Sequence, residues 1–302
     1  MMDDSEEIDT AKHEEKPTWL KEIPAEAVDF TWTEVMAKLL GTIDPGGFPH
    51  ITLIACNRAI SPTTVKWGQF IQGRSKKHIY DNPKSASLYM TKTMPLTFLQ
   101  VKMDFDRCSL DGADAENFNT AQLLRYNTYV RVDHVYFNTV RAASPLRPLP
   151  LGGIIKGMVA DAIGIGGLKT GKTEARIPPF GMALFRAPVG PKFLAFIDPA
   201  DGYPVIVPCF QARAVEGKAI AFSFTQFAGD LAPLQPGAKM AFFALSFELT
   251  SILVKGIYTG IKKSRGIRFG MVDVTEVYNP MPPLAGMLYP VKASRPKVTA
   301  FQ

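Results

Sequence analysis

The fold of this chain is decided by a pattern that occurs twice, first as Lys38-Leu39-Leu40-Gly41-Thr42-Ile43-Asp44-Pro45-Gly46-Gly47-Phe48-Pro49 and again as Lys192-Phe193-Leu194-Ala195-Phe196-Ile197-Asp198-Pro199-Ala200-Asp201-Gly202-Tyr203-Pro204. In each copy an apolar segment leads into an Asp-Pro turn that contains glycine, and an aromatic-Pro pair opens a second apolar segment. Proline presets φ for such a turn, glycine supplies a positive φ, and β-branched and aromatic residues favour strands. Each copy therefore predicts a β-hairpin.

The similarity between the two halves extends beyond these hairpins. Residues 82–90 correspond to residues 235–243, and residues 99–102 correspond to residues 252–255, in the same order. Short apolar segments separated by turn signals are typical of antiparallel sheet that closes into a small barrel. The sequence thus predicts an internal repeat in a mainly β protein with few helices, built from two tandem β-barrel domains.

Changes in composition along the chain mark the expected domain boundaries. We expect residues 1–25 to be a mobile acidic tail, residues 26–144 to form domain 1, residues 145–178 to be a Pro- and Gly-rich linker, and residues 179–302 to form domain 2. Short helices are predicted over residues 33–39 and 75–81, and a further one in the linker over residues 154–163.

Composition excludes several classes of protein. A hydrophobic fraction of 46% with 21% charged residues is typical of a globular chain, and no apolar run reaches the roughly 18 residues of a membrane span. Cys56, Cys108 and Cys209 are isolated and the four histidines are scattered, so neither a disulfide framework nor a metal site is predicted. With an acidic N-terminus in place of a secretory signal, we expect a cytoplasmic protein without a membrane partner.

The charge is unevenly distributed. Residues 1–16 contribute −5 to the net charge of +6, so the rest of the chain carries +11. A basic body suits an anionic partner such as a phosphorylated cofactor or a nucleic acid, although surface lysines that only keep a protein soluble give the same total. Basic residues interleaved with aromatic ones, as in nucleic-acid modules, are not found, so we expect no nucleic-acid partner.

Two stretches of the first half carry a family resemblance, residues 41–49 and the segment Gly73-Arg74-Ser75-Lys76-Lys77-His78-Ile79-Tyr80-Asp81-Asn82-Pro83. Together they resemble the pyridoxamine-5′-phosphate-oxidase-like, FMN-binding split-barrel superfamily, over about residues 35–137; residues 180–280 match in fold pattern only. The resemblance implies two tandem split barrels with FMN in the groove between them. It also implies that the 73–83 segment holds the flavin phosphate.

The resemblance assigns cofactor-binding roles to ten residues. The basic segment and the arginine at the end of the preceding strand are expected to bind the phosphate, and residues 51–57 to pass beside the flavin ring. A tryptophan on the strand before the basic segment is placed to stack near the ring, although an aromatic residue on a strand is more often part of the core. In chain order the ten are Thr52, Ala55, Cys56, Asn57, Arg58, Trp67, Arg74, Ser75, Lys76 and Lys77.

The chemistry of the basic segment agrees with an anion site. A hydroxyl, two lysines and the free N–H groups of a helix that starts there all favour a phosphate, although an ordinary solvated basic turn has the same composition. Thr52 and Asn57 stand where true pyridoxamine phosphate oxidases carry basic residues, so that substrate is not expected. The corresponding loop of the second half, residues 225–233, has no cation and contains Asp230, so one site is predicted in an intramolecular pseudo-dimer.

The predicted function is therefore FMN binding, with flavin-dependent oxidation or reduction of a small molecule. Deazaflavin and haem are alternative cofactors, and a non-catalytic flavin sensor is the alternative function. No catalytic residue is identifiable. The substrate, the electron donor and further homodimerisation stay open.

A rival motif lies in the linker. Residues 166–173, Gly-Gly-Leu-Lys-Thr-Gly-Lys-Thr, match the GxxxxGK[ST] pattern of P-loop nucleotidases. That loop requires a buried strand before it and a helix after it, whereas here Pro178 and Pro179 follow after four residues. A flexible linker is the preferred interpretation.

Overall fold

The structure is a computed structural model that describes residues 17–69, 73–120, 132–171, 174–188, 190–246, 250–281 and 286–290. It contains two eight-stranded antiparallel sheets, one in each half of the chain. The two main paths have the same strand order, β2-β1-β5-β6-β7-β4-β3 in the first and β10-β9-β13-β14-β15-β12-β11 in the second. The predicted fold class, mainly β with two tandem barrel domains, is confirmed.

Domain 1 is built on the first sheet. Its helices are α1 (Ala25–Phe30), α2 (Arg74–Asp81) and α3 (Gly112–Asn119). Its strands are β1 (Met36–Ile43), β2 (Pro49–Leu53), β3 (Arg58–Ser61), β4 (Thr64–Gly68), β5 (Lys84–Thr91), β6 (Thr97–Ser109), β7 (Val135–Ala143) and β8 (Arg147–Pro148).

Domain 2 is built on the second sheet. The chain enters it through α4 (Leu151–Gly164), a 3-10 turn (Ile165–Gly167) and α5 (Pro179–Arg186), and α6 (Ala228–Leu231) follows β12. Its strands are β9 (Lys192–Ile197), β10 (Pro204–Pro208), β11 (Arg213–Val215), β12 (Ala219–Ser223), β13 (Lys239–Leu245), β14 (Ser251–Ser264), β15 (Ile267–Asn279) and β16 (Gly286–Tyr289).

The chain connectivity forces each sheet to curl. β2 and β3 lie at opposite edges of the first sheet, yet only four residues separate them. Six strand spacings in a flat sheet would span about 29 Å, whereas the chain from Leu53 to Arg58 reaches at most about 18 Å. The edges must therefore approach each other, and the same argument holds for β10 and β11.

The barrels pack against each other through strands that are buried on both faces. In β1, Leu40 points into the core of domain 1 while Leu39 belongs to the cluster shared with domain 2. Glycine permits the closest approach: a Cβ at Gly41 would lie 3.0 Å from Cδ1 of Ile206. The contacts are reciprocal, since β2 packs on β13 and β10 packs on β5.

Two buried lysines occupy equivalent places in the repeat. Lys38 of β1 donates to the carbonyl of Thr31 at 2.7 Å, and Lys192 of β9 donates to the carbonyl of Ala187 at 2.6 Å. Each carbonyl belongs to the residue that ends a helix, where a cation is favoured. Burial lowers the pKa of Lys38 to about 8 and that of Lys192 to about 7.

Two of the three predicted helices are present in the structure. The helices predicted over residues 75–81 and 154–163 are present as α2 and α4. The helix predicted over residues 33–39 is wrong, because β1 begins at Met36 and is paired on both sides, by β2 and β5. Residues 17–25 of the predicted tail lie against domain 1: Leu20 pairs with Ala143 and Ile23 is fully buried; residues 1–16 lie outside the described residues.

Candidate functional site

An open pocket of about 430 Å³ lies beside α2, on the surface of domain 1. Its volume is within the range of small-molecule sites. Residues from α2, from the end of β4 and from the start of β7 form its wall. The lining residues are Gln69, Gly73, Lys76, Lys77, Tyr80, His134 and Tyr136.

The start of α2 gives the pocket its positive charge. Gly73 is the N-cap residue and has no side chain that could accept a hydrogen bond from the first helical turn, and that turn contains no acidic residue. The free N–H groups and the helix dipole attract an anion. Lys76 and Lys77 add two ammonium groups in the same turn. Burial lowers the pKa of Lys76, a cost that a bound anion would offset.

Aromatic rings form the rest of the wall. Tyr136 lines the pocket and is stacked on Trp67, with ring centroids 4.1 Å apart and planes 11° from parallel. Burial, together with the nearby Cys108 thiol, raises the pKa of Tyr136, so its phenol stays protonated. Trp67 is only 2% exposed. Trp67 therefore supports the pocket from behind Tyr136.

The opposite side of α2 faces domain 2. Ser75 and Thr52 share a hydrogen bond of 2.7 Å between their hydroxyls. The Arg74 guanidinium lies 4.6 Å from the ring centroid of Tyr278 on β15 and contacts Sδ of Met287. Of the predicted basic segment, Lys76 and Lys77 thus line the pocket, Ser75 is buried against β2, and Arg74 contacts domain 2.

A histidine cluster that was not predicted from the sequence lies between α2 and β2, next to Tyr278 of domain 2. Nδ1 of His78 lies 3.1 Å from Oγ1 of Thr42, and the His50 and His78 rings meet edge to face with centroids 5.0 Å apart. Burial, reinforced by Lys255, lowers the pKa of His78 to about 4 and holds that of His50 well below its usual value. The aligned repeats do show one sign of this cluster: the first repeat has a histidine, His50, at the strand position where the second has the apolar Val205.

Three further predicted residues are packed inside domain 1. Asn57 donates to Oγ of Ser87 at 2.8 Å and accepts from the Tyr89 hydroxyl at 2.9 Å. The Cys56 thiol donates to the carbonyl of Gly68, and burial raises its pKa to about 12. Arg58 is 6% exposed and lies over the rings of Trp32 and Phe118.

Ala55 is exposed in the connection between β2 and β3. The structure therefore does not bring the ten residues together in one place. Lys76 and Lys77 line the pocket and Trp67 packs on Tyr136, whereas Thr52 and Ser75 are bonded to each other and Arg74 contacts domain 2. The remaining four are Cys56, Asn57 and Arg58, which are buried in domain 1, and the exposed Ala55.

Domain 2 has an ion pair in the corresponding place. Asp230 of α6 is bound by both guanidinium nitrogens of Arg147, at 2.7 and 2.8 Å, and its side chain is 1% exposed. The guanidinium also lies over the rings of Phe98 and Phe227. A carboxylate thus already occupies the position where an anion would bind.

The linker motif does not have P-loop geometry. The segment before it is α4 followed by a 3-10 turn, not a strand. The backbone N–H of Thr170 donates to the Glu216 carboxylate at 3.0 Å, and the Thr170 hydroxyl donates to the same group. These donors are therefore engaged by an acid; Lys172 and Thr173 lie outside the described residues.

Neither a metal-binding cluster nor a membrane-spanning helix is found among the described residues. No group of three or more His, Cys, Asp or Glu side chains is placed to hold a metal ion. No described helix has both the length and the apolar character needed to cross a bilayer.

Comparison with known proteins gave structural matches only; no family model and no curated protein matches the chain. An FMN-binding protein from Syntrophomonas wolfei matches with TM-score 0.34 and 10% identity, covering 39% of this chain and 81% of its own. A putative pyridoxamine 5′-phosphate oxidase from Lactobacillus delbrueckii matches with TM-score 0.30 and 12% identity, covering 41% of this chain and 94% of its own. An F420 reductase matches with TM-score 0.32 and 18% identity, covering 40% of this chain and 98% of its own. Each matched protein thus aligns to about two fifths of this chain.

Proposed function

We propose that domain 1 binds FMN, with the phosphate held in the pocket at the start of α2. One observation carries the proposal: Gly73, Lys76 and Lys77 line a single open pocket next to an uncapped helix N-terminus. A phosphate dianion is complementary to two ammonium groups and free N–H donors. Asp133, an acid that acts electrostatically on Lys76, is itself paired with His134 at 2.7 Å.

The two barrels act in this proposal as an intramolecular pseudo-dimer with one working site. Arg74 and Ser75 lie on α2, and Thr52 lies on β2 with its hydroxyl bonded to that of Ser75. The sequence resemblance also assigns these three residues to the flavin. The corresponding place in domain 2 contains the Arg147–Asp230 pair, which disfavours a second phosphate there.

The proposed activity is a flavin-dependent oxidation or reduction of a small molecule. Bound flavin supplies the electron transfer, and the protein supplies binding, orientation and a local electrostatic environment. Lys76 and Lys77 hold the anionic end, while Tyr136, supported by Trp67, gives a rigid aromatic wall. The alternative function, a non-catalytic flavin carrier or sensor, would use the same residues. The alternative cofactors are a deazaflavin and haem, either of which would take the place of FMN in this site.

The experiment is a titration of the purified full-length chain with FMN, followed by quenching of flavin fluorescence and by native mass spectrometry. We expect saturable binding of one FMN per chain. Addition of a nicotinamide donor to the complex, followed by absorbance of the oxidised flavin, separates an oxidoreductase from a sensor. Absence of binding by FMN, deazaflavin and haem, together with ATP hydrolysis, would reject the proposal in favour of the linker motif.

A further inference from the structure

Helix α4 presents an apolar face to solvent. Leu151, Ile155, Val159 and Ile163 recur every fourth residue, and their exposure lies between 40% and 63%. Residues at this spacing form one stripe along a helix. Globular helices normally direct such a stripe to the core, so its outward orientation requires a cause.

The cause is the small-residue face on the other side of α4. A Cβ at Gly153 would lie 2.9 Å from the carbonyl oxygen of Thr225, and one at Gly157 would lie 2.8 Å from the Thr225 hydroxyl. On the same face, Asp161 is paired with Arg213 at 3.1 Å. The glycines bring the helix backbone onto domain 2, which fixes the rotation of α4 and leaves the aliphatic side chains outside.

A basic hairpin is attached to the end of this helix. The end of β14, the turn and the start of β15 have the sequence Ile-Lys-Lys-Ser-Arg-Gly-Ile-Arg over residues 261–268, with four cations and no acid. Ser264 donates to the carbonyl of Gly164 at 2.7 Å, and Arg265 donates to that of Ile163 at 3.0 Å. Ile261, in the same hairpin, is 47% exposed.

We propose that the α4 stripe and the 261–268 hairpin together form a docking surface for an anionic lipid membrane. Aliphatic side chains enter the headgroup boundary while adjacent lysines and arginines pair with acidic headgroups. Lys156, exposed within the stripe, adds a further cation. The sequence predicted no membrane partner because no segment can span a bilayer, but a helix that lies on the surface does not need to span it.

Charge disfavours the other occupants. Two copies that meet through this same surface would each bring Lys156 and a basic hairpin to the interface, where like charges repel. A nucleic acid would match the hairpin, but an aliphatic stripe offers it neither stacking nor hydrogen bonds. An anionic bilayer complements both parts of the surface.

The test is co-sedimentation of the full-length protein with vesicles of phosphatidylcholine, alone or with about 30% phosphatidylserine. We expect binding to the acidic vesicles that weakens as salt is raised. Lys262→Glu with Lys263→Glu, and separately Ile155→Asp, should each reduce the bound fraction at least about tenfold. The matched control is Lys21→Glu with Arg107→Glu, which makes the same charge change in domain 1 and should leave binding unchanged. Circular dichroism and the melting temperature verify that each variant is folded.

Several outcomes would overturn the proposal. Equal binding to neutral and acidic vesicles, or binding unaffected by Ile155→Asp, would exclude the α4 surface. A dimer that Ile155→Asp dissociates in light scattering would assign the stripe to a second copy. Tight binding of duplex DNA by the wild type, with no vesicle binding, would assign the hairpin to nucleic acid.

Discussion

Lys102 of domain 1 forms a 2.7 Å ion pair with Asp198 of domain 2, and the repeat reverses the arrangement: Lys255 of domain 2 pairs with Asp44 of domain 1. Both acids belong to the Asp-Pro turns that define the repeat. The two lysines also correspond, because each is the last residue of one of the matching segments 99–102 and 252–255. Each lysine is nearly buried, with 3% and 2% of its side chain exposed. The duplicated motif therefore joins the two barrels crosswise.

The crosswise pairs should be important for stability. Asp198→Asn combined with Asp201→Asn leaves the Lys102 ammonium buried without an anion, since both carboxylates lie 2.7 Å from it. We expect a loss of about 3–5 kcal/mol in the free energy of unfolding, measured by urea denaturation. The control Asp106→Asn, which breaks an exposed pair with Arg107, should cost less than about 1 kcal/mol. Similar losses from both changes would contradict the structural importance of the buried pair.

The basic pocket should control FMN affinity. Lys76→Ala with Lys77→Ala removes two charge-assisted hydrogen bonds to the phosphate and should weaken binding by about 1–3 kcal/mol, roughly 5- to 150-fold. Fluorescence titration measures the change. Lys262→Ala with Lys263→Ala removes two exposed lysines from domain 2 and serves as the matched control. If that pair weakens FMN binding equally, the phosphate is not at α2.

Adjacent glycines in α4 should respond oppositely to the same substitution. A Cβ at Gly152 meets nothing within 4 Å, so Gly152→Ala should raise the free energy of unfolding by about 0.5–1 kcal/mol through reduced chain entropy. A Cβ at Gly153 meets a backbone oxygen at 2.9 Å, so Gly153→Ala should lower it by about 1–3 kcal/mol. Thermal and urea unfolding of the two variants measure the difference. Equal effects on stability would contradict the packing of the Gly153 face of α4 against Thr225.

The histidine cluster should make stability depend on pH. The pKa of His78 falls from 6.5 to about 4 on folding, so the unfolded chain binds a proton that the folded chain excludes. The stabilisation is present above pH 6.5 and declines as the pH falls from there towards about 4. His78→Gln should flatten this dependence in urea denaturation at several pH values. The exposed His134→Gln is the control; a slope unchanged by His78→Gln would show that other groups determine it.

The sequence was sufficient where the signals are local. Asp-Pro-Gly turns between β-branched and aromatic segments specify hairpins, and two copies in one order specify two similar sheets. The helix predicted over residues 33–39 was wrong, because residues 36–39 lie in β1, where strand pairing outweighs helix propensity. For the site, the sequence identified the basic segment of α2. It did not show that Lys76 and Lys77 line the pocket while Arg74 contacts domain 2, because the orientation of α2 depends on packing against both β1 and domain 2.

The same limit applies to the repeat itself. The sequence alone determined that an Asp-Pro turn and a lysine occur in each half. Only the tertiary structure decided that each turn meets the lysine of the other half, 96 residues apart for Lys102 and Asp198. It also decided that the glycines of α4 face inward and its aliphatic residues outward. Hairpins follow from neighbouring φ and ψ preferences, whereas these relationships depend on how two finished surfaces fit together.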